Sequence, residues 1–135
     1  MIRKLNGRCM CGAVAFEALA DKDDVTACHC GQCRKWSGHY WASANVPFAS
    51  LKLTKGEDKL GWFRSSAYAR RGFCKECGSA LFWHADKLDD HKDRIAIGAG
   101  TLAAPTGLKL AEHIFTVDKG DYYGIKDGLP RKETY

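Results

Sequence analysis

Arg71-Gly72-Phe73-Cys74-Lys75-Glu76-Cys77-Gly78-Ser79-Ala80-Leu81 reads as the end of one strand, a tight turn and the start of another. The flanking stretches, 67–73 and 79–84, are rich in aromatic and aliphatic residues, and the turn between them carries two cysteines. A Cys-x-x-Cys turn folds two thiolates onto one ion, about 2.3 Å from each sulfur. The glycine behind it lets the backbone close tightly around the metal. Far upstream, Cys9-Met10-Cys11-Gly12 offers a second pair followed by a glycine. Cys9, Cys11, Cys74 and Cys77 together would make a closed four-sulfur zinc site that staples the ends of a sheet. Such a site contributes folding free energy directly.

The remaining cysteines form one cluster, Cys28-His29-Cys30-Gly31-Gln32-Cys33, so all seven lie in three groups. An odd number forbids a complete set of internal disulfides. The first residues carry no apolar core of a secretory signal, so the expected compartment is the reducing cytoplasm. Scattered cysteines would read as small buried hydrophobes, and a redox pair at Cys74 and Cys77 would need a βαβ context that the pattern lacks. Zinc is the expected ion, two per chain with the second labile. Thiolates also suit softer metals and iron–sulfur clusters.

The rest of the chain reads as short strands punctuated by Gly, Asp and Lys. They are expected at 12–19, 40–48, 51–54, 60–64, 67–73, 79–84, 94–98 and 112–117, with a turn at 55–58. The one helical candidate, Gly31–Ser37, holds Cys33. Residues 86–93 read as a charged loop, and 126–135 as a loosely held polar tail. The 135 residues, 45% hydrophobic and 27% charged, suffice for one folded all-β domain over 1–135 and exclude intrinsic disorder. No apolar run reaches the roughly 18 residues of a membrane helix, so no membrane partner is expected. Seven thiolates around two divalent ions would remove three of the five formal positive charges. That leaves little charge argument for a nucleic-acid partner.

The triplet supplies three ligands with no sequence-local fourth, as a site with an open position does. Three thiolates make a metal electron-rich and a weak Lewis acid, poorly suited to generating hydroxide. Its best fourth partner is soft, and a substrate thiol held as the nucleophilic thiolate fits. His39, His84, His91 and His113 are alternative fourth ligands, and His29 is the nearest candidate proton donor. Arg34, Lys35, Arg70 and Arg71 flank the cysteines. They read as solvated surface charges, as counterions of the thiolates or, for Arg34 and Arg71, as groups that hold substrate carboxylates. Trp36, Tyr40, Trp41, Trp62, Phe63, Phe82 and Trp83 read as core, with one or two of them lining a pocket.

Three motifs carry a family resemblance: Cys9-x-Cys11-Gly12, Cys28-His29-Cys30-x-x-Cys33-Arg34, and Arg71-Gly72-Phe73-Cys74-x-x-Cys77-Gly78-Ser79-x-Leu81. With Ile97-Gly98-Ala99-Gly100-Thr101-Leu102 and Glu112-His113-Ile114-Phe115, they resemble the glutathione-dependent formaldehyde-activating enzymes, the GFA or centromere protein V domain. The resemblance implies an Mss4-like all-β fold of antiparallel sheets with at most short helices. It implies a structural zinc on Cys9, Cys11, Cys74 and Cys77, and an open zinc on Cys28, Cys30 and Cys33. It also implies a carbon–sulfur lyase reaction that joins formaldehyde to glutathione. The alternative expectation is a non-catalytic, zinc-stapled binding module whose triplet is closed by a fourth residue.

Overall fold

The computed structural model describes residues 2–135. Ten strands, β1 (Arg3–Arg8), β2 (Ala15–Ala20), β3 (Asp24–Cys28), β4 (Trp41–Pro47), β5 (Lys52–Lys55), β6 (Leu60–Arg64), β7 (Arg70–Cys74), β8 (Ala80–His84), β9 (Arg94–Gly98) and β10 (Lys109–Ile114), surround one short helix, α1 (Gly31–Ser37). They form a three-stranded sheet in the order β1-β2-β5 and a seven-stranded sheet in the order β10-β3-β4-β9-β8-β7-β6.

Nearly all pairings are antiparallel, as expected for an all-β chain of short connections. The exception is β10, which runs parallel to β3 at the edge of the large sheet. The connection from β9 passes over β4 and β3 before the chain turns into β10. A crossover of this kind returns the strand in the same direction, where a hairpin would reverse it. The crossing segment is pinned on the small sheet, where Ala103 N–H donates to the Asn6 carbonyl at 2.8 Å.

Strand alternation gives the large sheet two distinct faces. One face, with Ala44, Val46, Phe82, Ile95 and Ile97, packs against Leu5, Phe16 and Ala18 of the small sheet to make the main core. Phe16 and Phe82 meet edge-to-face across the two sheets, with centroids 4.9 Å apart. The opposite face carries Trp41, Trp83 and Ala96, and Cys33 of α1 packs onto it. Register confirms that these residues share a face, since Asn45 pairs with Ala96 and Ala96 with Trp83.

The tail is held rather than loose. His113 N–H donates to the Pro130 carbonyl and Lys132 N–H to the His113 carbonyl, each at 2.9 Å, so 130–134 runs along β10. Arg94 ties the end of β2 to the large sheet through a two-pronged bond to Asp21, at 2.7 and 2.9 Å. Its hydrogen bonds hold the Asp21 carboxyl down to about 2.

Phe82 is fully buried, and Phe82→Ala is expected to lower unfolding stability in urea by about 3–5 kcal/mol. Asp21 has a folded pKa below its ordinary 3.8, so its contribution is present above about pH 4 and fades toward pH 2. Asp21→Asn should cost at most about 1 kcal/mol at pH 7, because the two side chains are 29% and 34% exposed to solvent. Its difference from wild type in urea unfolding should shrink as pH falls from 4 to 2.

Candidate metal centres

The β1–β2 loop supplies Cys9 and Cys11; the β7–β8 turn supplies Cys74 and Cys77. All four sulfurs lie within 4.8 Å of one another. Cys9 and Cys11 are 3.6 Å apart, and Cys11 and Cys74 are 3.8 Å apart. A tetrahedron with bonds of about 2.3 Å has edges of about 3.8 Å, so the spacing fits an ion such as zinc. Backbone N–H groups already point at these sulfurs: Val14 at Cys9 (3.3 Å), Ala13 at Cys11 (3.5 Å), and Glu76 and Cys77 at Cys74 (3.3 and 3.4 Å). Ser79 joins the two loops. Its Oγ accepts from Met10 N–H at 2.9 Å and lies 3.1 Å from Cys77 Sγ, to which its hydroxyl donates. That bond lowers the Cys77 thiol to about 5. Gly12 and Gly78 follow the two pairs with φ of +81° and +78°, a left-handed turn that a side chain would oppose.

The second group sits on the other face of the large sheet. Cys28 ends β3, Cys30 is the N-cap of α1 and Cys33 lies in its first turn, with the three sulfurs again within 4.8 Å. Cys30 Sγ accepts from Cys33 N–H at 3.3 Å, so the helix start itself holds the ligand. Hydrogen bonds from Cys28 and then Cys33 lower the Cys30 thiol to about 2, while the Cys30 bond raises Cys28. A cation among them would offset the repulsion between three thiolates at this spacing. Among the described residues no histidine or carboxylate joins them as a fourth ligand.

Arg71 reaches this site from β7. Both terminal nitrogens lie 3.7 Å from Cys33 Sγ, and one donates to Gln32 Oε1 at 3.2 Å. The guanidinium stacks 4.8 Å from the Trp36 ring, and its Nε is buried without a partner. The residue is 4% exposed, and a role on a substrate carboxylate needs access that this burial denies. Its geometry supports the counterion reading. Arg34 is half-buried on α1 and donates from Nε to the Asp118 carbonyl at 3.0 Å. Trp36, Trp41 and Trp83 pack around the cysteines, so these tryptophans wall the site. Trp62 and Phe82 instead belong to the main core, and Phe63 is exposed.

The histidines are placed elsewhere. His84 is stacked on Phe48 and bonds the Lys92 carbonyl at 2.8 Å. His91 pairs with Asp90, and His39 with the Tyr122 hydroxyl. His29 is fully buried and projects to the side opposite Cys28 and Cys30, as alternation along extended backbone requires. Burial lowers its imidazole to about 4, so it is neutral near pH 7. It does not face the metal side as a proton donor would. Its partner His113 lies in the Glu112–Phe115 motif, whereas Tyr123 and, beyond His113, Asp127 had no motif to announce them. An open groove of about 620 Å³ lies beside the four-sulfur group along Gly7, Cys9, Met10, Ser79 and Leu102. The four-sulfur group can complete a tetrahedron by itself, whereas the three-sulfur group leaves one position to another ligand.

Residues 4–118 match the family described as glutathione-dependent formaldehyde-activating enzyme. The chain belongs to that family. An uncharacterized lyase of Schizosaccharomyces pombe is 30% identical over 82 residues, 57% of this chain and 55% of that protein. A putative glutathione-dependent formaldehyde-activating enzyme of Colletotrichum graminicola is 32% identical over 83 residues, 59% of this chain and 44% of that one. The chain thus spans about half the length of these curated family relatives. A crystal structure of a Rhodobacter sphaeroides protein superposes with a TM-score of 0.62 over 93% of this chain and 98% of that one, at 18% identity, and supports the fold. The described residues contain no helix long and apolar enough to cross a membrane.

Gly78 has open space where a Cβ would stand, so Gly78→Ala should cost only the left-handed backbone penalty, about 1 kcal/mol. Cys74→Ser should instead remove the four-sulfur metal and unfold the junction of the two sheets. Circular dichroism with metal analysis of the two variants separates these outcomes.

Proposed function

We propose that this chain is a zinc-dependent carbon–sulfur lyase that joins a small thiol to an aldehyde, with glutathione and formaldehyde as the pair the family name supplies. The observation that carries the reading is the second group: three converging sulfurs, a buried counterion and no fourth protein ligand among the described residues. Cys9, Cys11, Cys74 and Cys77 hold the structural zinc in this reading, and Cys28, Cys30 and Cys33 hold the second. A zinc ion on three thiolates supplies a soft electrophile that favours a thiolate as its fourth partner.

The reaction forms a carbon–sulfur bond between the thiol sulfur and the aldehyde carbon. The carbonyl π pair moves to oxygen, which takes up the proton that the thiol gave up. Cleavage is the reverse. The chain's own groups bind and shield. Arg71 offsets the negative charge that gathers on the sulfurs, and removal of water by the tryptophan walls strengthens that attraction. Arg34, half-buried on α1 and next to Cys33 in sequence, is the cation we assign to a substrate carboxylate.

Protein purified without chelator should carry two zincs per chain by elemental analysis. It should accelerate hemithioacetal formation from glutathione and formaldehyde, and Cys30→Ser should abolish that acceleration while keeping one zinc. Arg34→Gln should raise the KM for glutathione and leave that for the uncharged thiol 2-mercaptoethanol unchanged. A metal-loaded protein with no effect on the rate for either thiol would favour the non-catalytic binding module.

A further inference from the structure

His29 stands between two ligands of the second group, and its ring is held at both nitrogens. Nδ1 lies 2.5 Å from the Tyr123 hydroxyl and Nε2 lies 2.8 Å from His113 Nδ1. His113 Nε2 in turn lies 2.7 Å from Asp127 Oδ2. The donors follow from one end. A carboxylate only accepts, so His113 Nε2 donates to Asp127, and in the neutral ring Nδ1 is then the acceptor. His29 Nε2 then donates to His113, and His29 Nδ1 accepts from the Tyr123 hydroxyl. Every nitrogen in the chain is satisfied in one polarity, set by Asp127.

This network lies on the face of β3 away from the sulfurs. His113 is the register partner of Ala27, and Cys28 is that of Ile114 and Trp41, so His113 and Cys28 project to opposite sides. The network's outer members come from the C-terminal segment. Asp127 is itself oriented by Leu129 N–H, which donates to its Oδ1 at 3.0 Å. The Tyr123 carbonyl accepts from Lys119 Nζ at 2.7 Å, and its ring stacks on His29. His29 N–H also donates to the Ile114 carbonyl at 3.0 Å. The one residue between Cys28 and Cys30 is therefore fixed by backbone and side chain to β10 and the segment after it. Its backbone joins the two ligands directly, so a displacement of that backbone displaces both.

We propose that Tyr123, His113 and Asp127 are positioning residues that act through His29 to hold Cys28 and Cys30 in the spread the second metal needs. The inference rests on the reading of that triplet as a metal site. It gives the C-terminal segment a role in metal retention without contact to the metal. Outer partners that orient metal ligands in other sites change affinity by about 10–100-fold when removed.

The test is the release of zinc from the zinc-loaded protein of residues 1–135 to a chromogenic chelator, read as a fast phase from the three-sulfur group and a slow phase from the four-sulfur group. Asp127→Ala is expected to speed the fast phase about tenfold or more and leave the slow phase unchanged. Asp127→Asn, whose amide oxygen still accepts from His113, should stay close to wild type. Tyr123→Phe keeps the stacked ring, loses only the hydroxyl, and should speed the fast phase by a smaller factor. It also serves if Asp127→Ala does not fold. Two zincs in wild type and an unchanged fast phase in Asp127→Ala and Tyr123→Phe overturn the proposal alone, as does an equal speeding of both phases. A single zinc in fully reconstituted wild type removes the metal reading and the proposal together.

Discussion

Seven sulfurs cannot all be thiolates at close range without a cation, and the architecture is arranged around that constraint. In the four-sulfur group, the β1–β2 loop belongs to the small sheet and the β7–β8 turn to the large one. An ion there converts mutual repulsion into a cross-link between sheets. The backbone N–H groups aimed at Cys9, Cys11 and Cys74 supply part of the compensation before any ion binds. Ser79 spans the two loops, so their geometry is coupled even through side chains.

The large sheet keeps its two faces for different purposes. One carries the aliphatic core against the small sheet and bears most of the packing energy. The other carries tryptophans, Arg71 and the three-sulfur group under a seven-residue helix. A helix that short has little stability of its own. It persists because Cys30 caps it, Gly38 ends it in a left-handed turn, and Cys33 is buried against the sheet. The residues that fold α1 are thus largely the residues that would hold the ion. Arg71 fits the same pattern: its burial is tolerable because sulfurs carrying negative charge stand beside it.

Strands with strong alternation or aromatic content were legible in the chain. Leu60–Arg64, Arg94–Gly98 and Gly31–Ser37 stand where the sequence places them. β1 and β3 were not legible, because Arg3–Arg8 buries only Leu5 and Asp24–Cys28 is short and begins with a charged residue. The 126–135 tail looked loose for the same reason: its attachment is backbone pairing to β10 plus one carboxylate, and neither leaves a hydrophobic signature. The expected antiparallel sheets are present, with one parallel edge pair at β10, whose direction depends on where the preceding connection crosses.

The sequence by itself determined the grouping of the cysteines, the fold class and the family. Each rests on local spacing, and a Cys-x-x-Cys-Gly turn has few ways to fold. Tertiary structure alone decided which charges face which sulfurs. Arg34 and Arg71 look alike in the chain, yet one lies half-buried on a helix and the other is sealed beneath Trp36. It also turned His29 from a neighbour of the ligands into the end of a network on the far side of the strand. The physical reason is that burial and facing are set by partners from β7, β10 and the C-terminal segment. Those partners are distant along the chain, so local spacing does not record which side chains will meet.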